Sequence, residues 1–421
     1  MLLYLFFLVS VLVLGSFLIG PLTGRVWMVV LMFFYILFFA DKNKLKSKNV
    51  YTYMSVFVIY IFLLFLAQIV NGDMARYGIS WLLANHFVSI VAFIATYYII
   101  ITKSQKMFEI VIITLMVLLS VDSIITILQY DNNEVAWGIN MFITQGRNEE
   151  LMEFMESSVG YQDTLAGIAK TPGLFNSVVI NAIFLASFGI LPFCFFQNKS
   201  KYLKNLSLVV IALTLAACFV CQERAALMVY SASLMFLYLK NSNTRSTGIL
   251  LFIIICFVLI NIGPSFFDFG RYEEKGMFTN DIREDIWGHF GAFFQNNWMW
   301  GGASQFEIFS GGHMPHNIFL NAFVFGGILG GLVIISLLFV LLIRIYRNVF
   351  TKRTTKITRV AAMALLSILA QSFVHNMSLV SGDVLTFILL GLMTATEEAK
   401  DIGKVAFPVK KKKFSLYSKA Y

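Results

Sequence analysis

The sequence predicts an all-α, polytopic membrane protein with about twelve transmembrane helices. Hydrophobic residues make up 58% of the 421 residues and charged residues only 13%, whereas soluble domains carry roughly 25% charged residues. The apolar residues form long unbroken blocks, and several of them approach the roughly 20 residues that cross a bilayer as a helix. Because these blocks and short connections use almost the whole chain, we expect residues 1–421 to form a single integral membrane domain.

The apolar blocks define the predicted spans and their orientation. They lie near residues 2–19, 25–40, 51–70, 80–101, 107–128, 173–196, 206–221, 224–239, 248–265, 317–343, 360–377 and 384–396. With these boundaries, 24 of the 32 Lys and Arg residues fall on one side of the membrane. Basic residues accumulate on the cytoplasmic side of membrane proteins. This side, which holds both termini, is therefore predicted to be cytoplasmic.

The opposite side carries two long loops, near residues 129–172 and 266–316, whereas its other connections are short. Loops of this length in a compact protein are usually functional or disordered. The basic cytoplasmic tail, 397–421, is expected to place Lys410–Lys413 on anionic lipid headgroups. The net charge of +9 follows from this asymmetry, so we predict a lipid bilayer and no nucleic acid as the partner of the basic residues.

Arg224 is the last residue of the polar triplet Gln222-Glu223-Arg224, which interrupts an apolar run from Leu206 to Leu239. The run is too long for one membrane helix and suits two short ones, so Arg224 is predicted to begin the second helix after a tight outer turn. A phosphate would be stabilised there by free backbone N–H groups and by the guanidinium. The alternative is that Arg224 reaches the lipid headgroups or pairs with Glu223.

The second long loop concentrates further polar and aromatic residues. They are Arg271, Arg283, Trp287, His313, His316 and Asn317. His316 comes just before a predicted span, and an imidazole titrates near neutral pH, as a general base for a sugar hydroxyl requires. The tryptophans can instead be interface anchors, and His313 with His316 supplies half of a metal site. Together, three arginines and a histidine on one face suggest a diphosphate clamp beside a base.

These residues resemble motifs of the O-antigen ligase and polymerase superfamily (Wzy-type polymerases and WaaL-type ligases). Four stretches match in order. The first two are Lys170–Asn176, which resembles the Gly-Phe-x-Asn stretch, and Gln222–Ala226, which resembles the Ser/Thr-Arg-Gly/Ala-Ala turn. In the third, Arg283–Trp287 resembles Arg-x-x-x-Trp and Asn297–Gly302 resembles Asn-Pro-x-x-Gly-x-Gly; in the fourth, His316–Leu320 resembles His-Asn-x-x-Leu and Gly326–Gly330 resembles Gly-x-x-Gly. The sequence departs from the pattern at Glu223, where Ser or Thr is usual, and at Trp298, where Pro is usual.

The resemblance implies a GT-C-type glycosyltransferase in the bacterial inner membrane, with its active site facing the periplasm and with neither metal nor cofactor. Arg224 and Arg283 would bind the diphosphate of an undecaprenyl-diphosphate-linked oligosaccharide, and His316 would deprotonate the acceptor hydroxyl. To substrate binding we assign four further residues, Arg271, His313, Asn317 and Trp287.

Polymerase and ligase share these roles, so the residues alone do not separate them. We favour an O-antigen polymerase, because two large outer loops suit an enzyme that holds two glycan chains. A chain-length regulator is a candidate partner. The alternatives are an O-antigen ligase acting on lipid A core and, as a non-enzyme, a polysaccharide transporter or flippase. A transporter would carry charged residues along a path through its spans, whereas here Glu109 and Asp122 are the main acidic residues within spans.

Overall fold

The computed structural model describes residues 2–15, 17–19, 22–147, 171–196, 200–221, 223–241, 281–312, 314–351, 354–375 and 379–399. Within these ranges the chain is almost entirely helical. The two short strands that they contain, β1 (Leu18–Ile19) and β2 (Leu22–Thr23), pair antiparallel after the first helix. The all-α fold class predicted from the sequence is therefore confirmed.

The helices follow in chain order. The first half contains α1 (Leu2–Val13), α2 (Gly24–Phe39), α3 (Lys48–Asn71), α4 (Met74–Tyr77), α5 (Ile79–Leu82), a π-helical turn (Leu83–Phe87), α6 (Val88–Tyr130) and α7 (Glu134–Thr144). The second half contains α8 (Val178–Phe188), a 3₁₀ helix (Leu191–Phe195), α9 (Lys201–Val220), α10 (Arg224–Asn241), α11 (Asp281–Asn297), α12 (Ala303–Phe309), α13 (Ile318–Phe350), α14 (Lys356–Gln371) and α15 (Val384–Glu398).

Six helical segments of the described chain are long and apolar enough to cross a membrane. They are Lys48–Asn71, Ile79–Thr102, Met107–Tyr130, Val178–Phe195, Lys201–Val220 and Ile318–Phe350. Three shorter apolar helices, Leu2–Val13, Gly24–Phe39 and Ala225–Lys240, coincide with further predicted spans. The chain is thus a multi-pass membrane protein, while the count of twelve stays a prediction because the predicted span 248–265 lies outside the described residues.

The centre of the helical core is α15. Every residue from Val384 to Thr396 is buried, as expected for a helix that is apolar all around. This helix packs along α6 and α14, and α6 in turn contacts α2 and α9. The helix α13 also packs against α14 and α3, so the loops beside α13 are attached to a closely packed helical base.

Several predicted loops and spans differ in detail from the structure: the predicted loop 266–316 contains α11 and α12, and α6 continues through the predicted break between spans 80–101 and 107–128. The predicted span 173–196 contains α8 and a separate 3₁₀ helix, since Pro192 lacks a backbone N–H and interrupts regular α-helical bonding. The predicted loop 129–172 begins with α7, because the Asn133 side chain accepts hydrogen bonds from Val135 N and Ala136 N and starts a new helix. The rest of this loop, from residue 148, lies outside the described residues.

Gly327 lets the loop before α12 pack directly on the backbone of α13. Its backbone, at φ +57° and ψ −158°, belongs to a region that is essentially restricted to glycine. Gly302 N donates to Val324 O and Ile328 N donates to Trp298 O, both at 2.8 Å. A Cβ at Gly327 would lie 2.0 Å from Met299 O, so this loop-to-helix contact requires glycine.

We expect Gly327→Ala to destabilise the protein, because alanine would adopt a strained backbone that costs about 1–3 kcal/mol and would also clash with Met299 O. The matched control is Gly330→Ala, where a new Cβ would meet Tyr60 Cε2 at an ordinary 3.6 Å. Thermal unfolding in detergent should show a lower Tm for Gly327→Ala and not for Gly330→Ala. An unchanged Tm for both variants would contradict the packing described.

Candidate functional site

His316 ends the long outer loop in an uncommon backbone conformation. Its φ of +49° lies in the left-handed region, which few residues other than glycine occupy and where histidine is among the enriched types. The side chain is half-buried. One residue later Asn317 caps α13, so His316 stands at the mouth of a helix, as the sequence predicted.

Trp287 and Asn317 hold the backbone on both sides of His316. The indole Nε1 of Trp287, on α11, donates to Pro315 O at 2.8 Å. The Asn317 Oδ1 accepts from Phe319 N at 2.9 Å and from Leu320 N at 3.3 Å, while its Nδ2 donates to Phe373 O at 3.3 Å. Both residues were predicted to bind substrate. The structure shows that each also fixes the His316 segment.

A buried polar cluster, which the sequence analysis missed, anchors α12 beneath this segment. Tyr77 Oη donates to Glu307 Oε1 at 2.8 Å, and the Arg76 guanidinium pairs with Glu307 Oε2 at 2.6 Å. Asp73 Oδ2 accepts from Ser304 N at 3.2 Å. Burial and the hydrogen bond to Glu307 raise the pKa of Tyr77, so its hydroxyl stays a donor. In the sequence, this cluster was indicated by two charged residues, Asp73 and Arg76, in a short connection between two predicted spans.

Arg224 is the first residue of α10, and α9 ends at Val220. The predicted tight turn between two short helices is therefore confirmed, with Gln222 outside the described residues. The beginning of a helix exposes N–H groups without intrahelical acceptors. The Arg224 side chain also lies outside the described part, so its role as a diphosphate ligand stays a prediction.

A cage of polar side chains holds the segment that precedes α8 against the Arg224 turn. Gln129 exchanges hydrogen bonds with Gly173, accepting from its N at 2.8 Å and donating to its O at 3.1 Å. Asp122 Oδ1 accepts from Leu174 N at 2.8 Å, and Asn140 Nδ2 donates to Gly173 O at 2.8 Å. A Cβ at Gly173 would lie 2.4 Å from Asp122 Oδ1. Glycine, at φ +61°, is thus required here.

This cage is linked to the turn before Arg224 by Thr171. Its hydroxyl donates to Val220 O at 3.4 Å, and Cys221 Sγ donates to Thr171 O at 3.4 Å. Asn181 Nδ2 also donates to Thr171 O, at 2.9 Å. The described part of the Lys170–Asn176 motif, from Thr171 onward, therefore packs through its backbone beside the Arg224 turn. In the sequence, the polar cage was indicated by Asp122, an acidic residue within a predicted span.

The helix α14 joins the Arg224 side of the site to the His316 side. It packs against both α8 and α10, and Gln371 Nε2 donates to Ser187 Oγ at 3.2 Å. Just after its end, Ser372 O accepts from Ile318 N, the first residue of α13, at 2.9 Å. The two halves of the predicted site are thus attached to one helix.

The other predicted site residues are only partly described. Arg283 lies in the first turn of α11, four residues before Trp287, and its side chain is outside the described residues. Arg271 and His313 lie wholly outside them. The structure therefore brings His316, Asn317 and Trp287 together, whereas the clamp by arginines stays a prediction.

Part of the sequence that contains these residues matches the model of a known family. A family model described as O-antigen ligase (Wzy_C) matches residues 208–335, just under a third of the chain. This part of the chain is therefore similar to the O-antigen ligase family, in agreement with the superfamily resemblance of the sequence motifs. The matched range contains Arg224, Arg283 and His316, while the Lys170–Asn176 motif precedes it. No curated protein is significantly similar to this chain.

We expect Trp287→Phe to loosen the His316 segment, because the substitution removes the donor to Pro315 O but keeps an aromatic ring. A hydrogen bond contributes about 0.5–1.5 kcal/mol, so hydrogen exchange in peptides covering residues 311–320 should accelerate roughly two- to tenfold.

Trp27→Phe is the matched control for this experiment. Trp27 has the same exposure as Trp287, 41%, and its Nε1 donates to Ile19 O at the same distance of 2.8 Å. Its loss should leave exchange in residues 311–320 unchanged. Equal protection of that segment in wild type and Trp287→Phe would mean that the indole does not hold it.

Proposed function

We propose that this chain is an O-antigen polymerase. It would transfer a glycan from an undecaprenyl-diphosphate-linked donor to the non-reducing-end sugar of a lipid-linked repeat unit, on the periplasmic face of the bacterial inner membrane. The observation that carries the proposal is the family match over residues 208–335, because it spans the three residues to which we assign catalysis, Arg224, Arg283 and His316. A chain-length regulator would be a further partner.

His316 is the proposed general base. It would take the proton of the acceptor hydroxyl as the oxygen attacks the anomeric carbon of the donor, while the bond from that carbon to the diphosphate oxygen breaks. Support comes from its position: the residue is half-buried at the start of α13 and is fixed by bonds at Pro315 and Asn317. A fixed base loses less entropy in reaching the reacting geometry.

Arg224 and Arg283 are the proposed diphosphate ligands. Undecaprenyl diphosphate leaves with its electron pair, so charge grows on the diphosphate oxygens as the bond breaks. Preorganised guanidinium groups stabilise such charge, and planar, paired donors match phosphate oxygens. Both arginines belong to the first turn of their helices, α10 and α11, where unpaired N–H groups and the helix dipole favour anions.

The alternatives differ from this proposal in acceptor or in chemistry. An O-antigen ligase would use the same residues and place the glycan on lipid A core. A transporter would need charged groups along a path, yet the Asp122 carboxylate is buried against Leu174 N and Glu109 lies near the beginning of the Met107–Tyr130 segment. These positions favour an enzyme over a transporter.

We expect His316→Asn to abolish polymer formation while the protein still folds. Asparagine tolerates the left-handed conformation of residue 316, but its amide accepts no proton at neutral pH, and loss of a general base costs roughly 10²–10⁴ in rate. Gel analysis of surface polysaccharide should show core carrying single repeat units. Core without any repeat would indicate a ligase, and normal chain lengths would contradict the base assignment. His289→Asn, on the exposed surface of α11, is the control.

Each of Arg224→Lys and Arg283→Lys should slow transfer at least roughly tenfold, or about 1.4 kcal/mol of transition-state stabilisation. Lysine keeps the charge but not the paired donors of a guanidinium. The assay uses purified enzyme with lipid-linked repeat units, with and without chelator. Arg347→Lys, exposed near the end of α13, is the matched control and should keep full activity. Full activity of both site variants would contradict the clamp, and inhibition by chelator would point to a metal instead.

A further inference from the structure

A cavity of about 160 Å³ opens beside the His316 segment. Its lining includes Tyr77, Trp81, Asn85, Met314, Asn321 and Phe325. Met314 lies two residues before His316, and Asn321 lies one helical turn, or roughly 6 Å, after Asn317 on α13. One water requires about 10–15 Å³ of such volume, so the cavity has room for a ligand as large as a sugar ring.

The wall of the cavity is a fixed aromatic group. The rings of Trp81 and Phe325 stack, with centroids 5.4 Å apart and planes 8° from parallel. Tyr77 meets both edge-on, at 5.3 Å from Trp81 and 5.4 Å from Phe325. Its hydroxyl is held by Glu307 at 2.8 Å. Aromatic rings offer a large, rigid apolar face, on which the C–H face of a pyranose packs.

The polar groups of the cavity suit hydroxyls and not anions. Asn85 and Asn321 contribute amides, each of which can donate and accept hydrogen bonds. The Asn85 amide is oriented by a bond from its Nδ2 to Trp81 O at 3.0 Å. None of the described residues that line the cavity is charged. A diphosphate would lack counter-charges there, and a lipid tail would bury the amides against hydrocarbon at a cost in free energy.

The backbone around the cavity is specialised on two sides. Asn85 lies in the π-helical turn Leu83–Phe87, and such turns occur often at functional sites. Opposite, Gly382 has φ +71° and packs so closely that a Cβ would lie 2.9 Å from Asn85 C. The neighbouring residues Val380 and Ser381 line the cavity. A simple packing defect would not require two irregular backbone segments to meet at it.

We propose that this cavity binds a neutral sugar ring of the acceptor glycan, stacked on Trp81 and hydrogen-bonded by Asn85 and Asn321. The inference rests on the proposed function, because the bound ring would present the hydroxyl that His316 activates. Trp81 and Asn85 are then specificity-determining residues, separate from the diphosphate clamp.

The test measures binding without transfer. The probe is the oligosaccharide repeat unit, released by mild acid from the lipid-linked precursor of the same cells, which carries neither lipid nor diphosphate. Isothermal titration of the purified protein should show binding to wild type. Trp81→Ala and Asn85→Ala should each weaken binding at least roughly tenfold, and Trp81→Phe, which keeps an aromatic face, should lose less. Trp27→Ala is the control for loss of a distant indole and should bind as wild type does.

The outcomes separate this inference from the proposed function. Equal affinity of wild type, Trp81→Ala and Asn85→Ala would overturn the cavity assignment. So would a wild type that polymerises lipid-linked repeats but does not bind the free oligosaccharide. If the protein binds the oligosaccharide through Trp81 but transfers no glycan, the polymerase proposal is contradicted and the sugar site is supported. Thermal unfolding in detergent checks each variant, and if Trp81→Ala does not fold, Trp81→Phe and Asn85→Ala decide the question.

Discussion

The face of this protein that carries the candidate site depends on the hydrogen bonds that buried side chains form with the backbone of residues 171–174. This segment precedes α8 without forming a helix, and within a bilayer irregular backbone is tolerated only where protein groups satisfy it. Asp122 and Gln129 from α6 and Asn140 from α7 supply those bonds. Through Thr171 the same segment contacts the end of α9, so the start of α10 at Arg224 is placed by interactions with three other helices.

The His316 half of the face follows the same principle with different partners. The described backbone before α13 is irregular at 298–302, 310–312 and 314–317, and it receives hydrogen bonds from α13 itself and from the Trp287 indole. Ser372, after α14, accepts from Ile318 N at the beginning of α13. Gly301 and Gly327 allow the close approach that these bonds need. Because α14 contacts α8 and α10 as well, relative movement of the two halves would disrupt the core of the protein. Such rigidity suits a site in which a base and a leaving-group ligand must keep a fixed separation.

Ionisable side chains near the spans form hydrogen bonds with nearby backbone groups. Arg25 Nε donates to Val11 O, near the end of α1, and Arg359 Nε donates to Val349 O, near the end of α13. Cations favour the carbonyl end of a helix, where acceptors lack intrahelical donors. Asp122 accepts from a backbone N–H instead. These side chains therefore complete the hydrogen bonding of helix ends and loops.

The sequence by itself determined the membrane class, the helix beginnings at Arg224 and just after Asn317, and the resemblance to the superfamily. Long apolar runs and the polar residues that interrupt them are local features, so they are readable without a structure. Only the tertiary structure decided what surrounds those residues: the cage at Gly173, the Glu307 cluster and the aromatic cavity at Trp81. Their partners are far apart along the chain, 44 residues for Gln129 with Gly173 and 230 for Tyr77 with Glu307. Hydrogen bonds between such distant residues leave no periodic pattern in the sequence, because the fold alone brings the partners together.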